Sequence, residues 1–221
     1  MINSERGLVM DNYVITIARG FGSGGKEIAT KLGERLGIPM YERQLLVLAS
    51  DKSGIDESLF VETDEKLRSN KLAKLLKRIP TENVVEPHEK AFISDTNLFN
   101  IQAQIIKELA KTQSCIIVGK CADYVLKDFD NVISIYIEAP RAACVKSIMS
   151  KMYISEEKAH QLIKKTDKYR ADYYKFYTGG NYWTNPVNYD MTLNSDRVGR
   201  DKCVDVIVDY IRTKFGDKFI V

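Results

Sequence analysis

"ARGFGSGGKEI", residues 18–28, decides how this chain folds. It follows a short apolar run, "YVITIA" (13–18), and opens a stretch of helical periodicity, "KEIATKLGERLG" (26–37). A β-branched run bounded by glycine reads as a buried parallel strand. Ile28, Leu32 and Leu36 fall on one helical stripe, and Gly37 can cap it. Glycines between a strand and a helix let backbone amides approach an anion closely, where the helix N-terminus adds positive potential. Two readings share these glycines. Gly20-x-x-x-x-Gly25-Lys26 is a phosphate-cradling P-loop, and Gly20-x-Gly22-x-x-Gly25 is a dinucleotide fingerprint. Glu42, at the end of the next strand, stands about where the second reading wants a ribose-binding acid; it is equally a carboxylate favoured at a helix start. Lys26 favours the first reading. A cation there reaches the β- and γ-phosphates, whereas a helix N-terminus is otherwise a poor place for one. Glu27 departs from the P-loop, which has Ser or Thr at that point.

Outward from the loop, strands and helices alternate. "IPMY" (38–41) reads as a strand, and Glu42 opens a helix through Ala49. Residues 97–111 form an amphipathic helix with Leu98, Ile101, Ile105 and Leu109 along one side. Further strands are expected at 115–119, 132–140 and 189–194. Helices are expected at 141–151, at 155–177 with Ser155 as N-cap and Gly179-Gly180 as the stop, and at 199–215, burying Val204, Ile207, Val208 and Ile211. This alternation predicts an α/β fold, a parallel sheet with helices on both faces. Residues 51–95 differ: they are lysine-rich, with Pro80 and Pro87, and read as a mostly helical insert with little core of its own. Lys71, Lys74, Lys77 and Arg78 there read as a solvated face that could also draw in an anion. The expected organisation is one domain over 1–221, with core at 12–50 and 97–221, insert at about 51–96 and lid at about 153–180.

Composition narrows the function. The 221 residues carry 33 basic and 30 acidic side chains, net +3, too small an excess to argue for a nucleic-acid partner. Cys115, Cys121, Cys144 and Cys203 form no C-x-x-C pair, and His88 and His160 lie far apart, so a His/Cys metal site is not expected. The N-terminus lacks the apolar run of a signal peptide, and no stretch approaches the roughly 20 apolar residues of a membrane span. The expectation is a cytoplasmic protein with free thiols, no membrane partner and small-molecule substrates.

A nucleotide kinase needs an acceptor-binding insert and a lid whose arginines neutralise the transferring phosphoryl group. "TDKYRADYY" places Asp167 and Arg170 three apart on one helix face, where the carboxylate can pre-orient the guanidinium; as plain structure this is a surface ion pair. Here the chain resembles the cytidylate kinase-like proteins, relatives of bacterial cytidylate kinase. The matching blocks are "ITIARGFGSGGKEIATKLGERLGIPMYERQLL" (15–46), "CIIVGKCADYVL" (115–126), "DKYRADYY" (167–174) and "YDMTLNS" (189–195). The resemblance implies a P-loop kinase fold, three layers α/β/α around a five-stranded parallel sheet, with an acceptor-binding insert and a mobile lid. It implies ATP as donor, Mg2+, and a nucleoside monophosphate such as CMP or dCMP as acceptor. Carried across, Gly20, Phe21, Gly22, Ser23, Gly24, Gly25, Lys26 and Glu27 bind the ATP phosphates. Glu42 and Arg43 contact the acceptor, and Lys120 stands where the relatives have an arginine gripping the acceptor phosphate. Lys26, Asp167 and Arg170 are the catalytic set.

The departures are specific. Glu27 replaces the Mg2+-holding hydroxyl; its carboxylate could itself ligate the metal, repel the triphosphate or face solvent. "IIVGK" (116–120) has no Walker-B acid, and Asp123, grouped with the acceptor residues, is the nearest substitute. Lys120 offers a point charge where arginine offers a fork. Tyr169, Tyr173, Tyr174, Phe176, Tyr177, Tyr182 and Trp183 read as a packed lid base or a homodimer interface before they read as base-stacking groups. A nucleotide-binding sensor with weakened turnover is the alternative to a kinase, and a dinucleotide-binding oxidoreductase stands third.

Overall fold

Val14–Arg19 forms β1, the middle strand of the sheet. The structure is a computed structural model and describes residues 12–53 and 95–219. The insert's basic run at Lys71, Lys74, Lys77 and Arg78 lies outside the described residues. In chain order, β1 is followed by α1 (Gly25–Leu36), β2 (Met40–Tyr41), α2 (Gln44–Ser53), α3 (Asp95–Thr112), β3 (Cys115–Val118) and α4 (Ala122–Val125). Then come β4 (Val132–Glu138), α5 (Arg141–Met152), α6 (Glu156–Tyr177), β5 (Met191–Asn194), α7 (Ser195–Val198) and α8 (Arg200–Phe215). The five strands pair in parallel in the order β2-β3-β1-β4-β5.

Strand side chains alternate between faces, and both faces of the central strands are covered, so β1, β3 and β4 are mostly apolar. Tyr13, Ile15 and Ile17 pack with Ile28 and Leu32 of α1 and Val204, Ile207 and Ile211 of α8. Val14 and Ala18 point the other way, toward Leu45 of α2, Phe99 and Ile106 of α3, and Tyr173 and Tyr177 of α6. All four cysteines are buried, and none is in a disulfide. Among the described residues no helix is long and apolar enough to cross a membrane.

The expected caps are in place. Gly37 ends α1 at φ 64°, and the Ser155 hydroxyl accepts the Lys158 N–H at 3.4 Å. Gly179 and Gly180, at φ 70° and 115°, stop α6. Several boundaries move, two of them for a visible reason. Helix α2 begins at Gln44, not at Glu42, because the Gln44 side chain accepts the Glu42 N–H at 3.1 Å and leaves Glu42 outside the helix. Strand β5 begins at Met191, not at Tyr189, because the Asp190 carboxylate takes the Ser134 N–H at the point where a strand would start pairing.

Because β1 lies between β3 and β4, the chain leaves it in one direction and later returns on the other side. The loop after β1 therefore opens into the crevice at the carboxyl ends of the strands, where ligands bind in sheets of this kind.

Candidate active site

The glycine loop keeps its shape by backbone freedom and by contacts from distant segments. Gly22 and Gly24 have φ of 93° and 85°, a left-handed conformation that side-chain-bearing residues rarely adopt. The buried Ser23 hydroxyl donates to the Gly20 carbonyl at 2.9 Å, and Ser195 of α7 donates to the Ser23 carbonyl. A Cβ on Gly20 would lie 2.2 Å from Glu138 Oε1, so any other residue there would have to displace that carboxylate. Glu138 ends β4 and is itself fixed: it accepts from the Tyr136 hydroxyl at 2.6 Å and from the Ala139 N–H at 2.9 Å.

Lys26 does not point free into solvent. Its ammonium lies 2.6 Å from Glu42 Oε2, and Arg19 Nη2 lies 2.7 Å from Glu42 Oε1. Burial disfavours the Glu42 charge, yet the hydrogen bonds and charges of Lys26 and Arg19 outweigh it and hold the carboxyl below its usual range. Burial also lowers the Arg19 pKa, an effect that Glu42 offsets.

Helix α6 is docked onto the loop. Asp167 Oδ1 accepts the Phe21 N–H at 2.8 Å, and Arg170 Nη1 donates to the Arg19 carbonyl at 2.9 Å. The Arg170 guanidinium also lies over the Phe21 ring, 5.5 Å from its centroid. The expected Asp167–Arg170 pair is present at 3.6 Å, a longer contact than the ones each makes to the loop. Burial raises the Asp167 pKa, helped by the nearby Glu138 charge and opposed by the Phe21 N–H and Arg170. Burial, with Arg19 close by, lowers Arg170 to about 10, which leaves it a cation at neutral pH.

These groups border a cavity of about 540 Å3. Lys26, Glu42, Arg43, Lys120, Asp123 and Arg170 all line it, with Arg19, Leu46, Tyr169, Tyr173 and Trp183. Asp167 does not; it is spent on the loop amide. Lys120 and Cys121 reach the wall through left-handed backbone, φ 60° and 53°, a strained conformation of the kind that collects at functional sites. Asp123 is 7% exposed and accepts from the Tyr174 hydroxyl at 2.6 Å. Burial pushes its pKa up to about 6, although that hydroxyl bond and two backbone N–H groups pull it down. Tyr173, Tyr174, Tyr177 and Trp183 are buried, as expected of packing residues, and Tyr177 stacks on Phe99 at 3.8 Å; Tyr182 is exposed.

Glu27 lies beside the loop among three cations: it accepts from Arg200, its other partner Lys151 is at 3.3 Å, and Lys31 is at 3.4 Å. Burial opposes its charge, but these cations prevail and its pKa is lowered. Among the described residues no group of three or more His, Cys, Asp or Glu side chains could hold a metal ion. A Mg2+ ion seated on Glu27 does not fit a carboxylate already surrounded by positive charge.

Sequence reasoning missed Arg19, Glu138 and Arg200. Arg19 and Glu138 had a signal, since each is a charged residue ending an apolar strand. Arg200 had none, because only the fold brings α8 to the loop.

No curated protein matches the chain. Among solved structures, an uncharacterized protein from Eubacterium ventriosum ATCC 27560 matches with TM-score 0.67 and 27% identity, over 91% of this chain and 99% of that one. Shikimate kinase from Bacteroides thetaiotaomicron matches with TM-score 0.50 and 10% identity, over 90% and 98% of the two chains, a likeness of fold alone. The sheet order, the glycine loop and these likenesses establish a P-loop kinase fold. The sequence profile of the cytidylate kinase-like family matches residues 14–197. With that match over most of its length, the chain belongs to the cytidylate kinase-like family.

Proposed function

We propose that the protein is an ATP-dependent phosphotransferase that passes the γ-phosphoryl group to a nucleoside monophosphate, CMP or dCMP, or to a similar small phosphorylated acceptor. The observation that carries this reading is one cavity that meets the phosphate loop at Lys26 and is lined by Arg19, Arg43, Lys120 and Arg170. Five cations against Glu42 and Asp123 favour an anionic occupant. The amides of the loop and the start of α1 hold the donor phosphates. Lys26 exchanges Glu42 for phosphate oxygens, and Arg170, fixed on the Arg19 carbonyl, supplies positive charge where the phosphoryl group moves. An acceptor phosphate is already ionised at neutral pH, so the protein's task is positioning and neutralisation, not proton removal. Mg2+, which this fold family implies, would reach the site on the donor's own phosphates.

A second reading, a nucleotide sensor with little turnover, draws on the Lys26–Glu42 pair, in which a carboxylate already neutralises the loop lysine. ADP release from Mg-ATP against CMP, dCMP, UMP, AMP, GMP and non-nucleotide phosphates decides between them. Turnover with one acceptor, reduced about a hundredfold or more in Lys26→Ala, is the expected result. ATP binding with no turnover on any acceptor would leave the sensor reading standing alone.

A further inference from the structure

Arg200 is out of place by ordinary rules. It is the first residue of α8, where the helix dipole disfavours a cation, and it sits among other cations. Its Nη1 donates to Glu27, and its Nη2 donates to Ser147 of α5 at 3.1 Å. The rest of the side chain lies against the phosphate loop: a Cβ on Gly24 would meet Arg200 Nε at 2.4 Å. Lys151, at the end of α5, and Lys31, one turn along α1, reach the same carboxylate. Asp201 compensates Lys31 at 2.6 Å. Three cations thus share two carboxylates beside the loop, which leaves positive charge for an anion to complete. An arginine held at both of its terminal nitrogens is pre-organised, so little entropy is lost when it takes a further acceptor.

We infer that Arg200 binds the phosphates of the nucleotide donor and that Glu27 is the positioning residue that holds it there, in place of the hydroxyl that occupies this corner of other P-loops. The inference rests on the phosphotransferase reading and adds a residue from the far end of the chain to it. Glu27 acts through Arg200 and not as a metal ligand. Arg200's Nε edge faces Gly24 of the loop, and the two fixed nitrogens set its plane.

The test is ATP binding by the full chain, measured calorimetrically in EDTA and again across a Mg2+ titration. Arg200→Ala is expected to weaken ATP binding roughly ten- to a hundredfold in EDTA and in Mg2+ alike, the scale of one charge-assisted contact. Arg200→Lys recovers part of the loss. Glu27→Gln is expected to leave the Mg2+ concentration for half-maximal ATP binding unchanged, and its effect on ATP affinity is expected to vanish in the Arg200→Ala background. Should Arg200→Ala fail to fold, Arg200→Gln, which keeps the aliphatic stem and an uncharged donor, gives the same comparison. An unchanged ATP affinity without Arg200, or a tenfold rise in the Mg2+ requirement of Glu27→Gln, overturns the inference. Lys26→Ala separates the two levels. ATP binding that depends on Lys26 but not on Arg200 sinks this assignment alone, whereas wild-type protein that binds no ATP sinks the phosphotransferase reading with it.

Discussion

Asp123 shows how a single residue can be placed by sequence and understood only by structure. Its position after β3 marked it as an acid near the site; its burial and the Tyr174 hydroxyl were not legible, because they depend on a helix about fifty residues away. The consequence is measurable. Its folded pKa is raised to about 6, so between its ordinary value of 3.8 and 6 the folded chain keeps a proton that the unfolded chain has released. Stability contributed by this group is therefore full at the acid end of that window, falls as pH rises through it, and is level above it. The fall is on the order of 2–3 kcal/mol. Thermal melts from pH 4 to 7 are expected to show this slope in wild type and a flatter line in Asp123→Asn; parallel profiles would refute the assignment. The glycines and Lys26 were readable because a phosphate loop is local chemistry. Glu138 was marked only by its place at a strand end, and its contact with Gly20 was not legible, since it is made between neighbouring strands.

Among the elements, α6 is the one docked onto the loop. Its ends were legible, since capping is written in neighbouring residues: Ser155 at the start, two glycines at the stop. Its docking was legible only in part. The spacing of Asp167 and Arg170 put them on one face, but their partners, the Phe21 amide and the Arg19 carbonyl, belong to a segment about 150 residues earlier. The misplaced starts of α2 and β5 share a cause, a side chain capturing a backbone N–H that a regular element would have used. Because the Ser155 cap is a long hydrogen bond, Ser155→Ala is expected to cost about 0.5–1 kcal/mol and lower the melting temperature by about 1–4 °C. A melt within error of wild type would show that packing of Ala159 and Ile163 alone holds that end.

Over the whole molecule, the alternation of strands and helices predicted a parallel sheet, but not its order, which follows from how the helices cover both faces. That order places β1 centrally and aims its loop into the crevice. It also distributes the thiols. Cys115 and Cys121 lie in the packing layer on the α3 and α6 side, Cys203 in the layer on the α1 and α8 side, and Cys144 in the small cluster between α5 and α6. Burial pushes Cys115 up to about 12 and Cys144, near Glu138, up to about 11, and it raises Cys203 as well, so little reactive thiolate exists in the closed protein. The chain thus carries its own footprinting reporters, one set per layer, each silent until its layer opens. Cys144 is the informative one, because a Cβ on Gly22 of the loop would touch its Cβ at 3.0 Å. Alkylation followed by peptide mass spectrometry is expected to show ATP slowing the labelling of Cys144 more than that of Cys203. Equal rates at all four, with and without nucleotide, would mean that the molecule opens only as a whole, and that the loop and α6 share a single cooperative unit with the sheet.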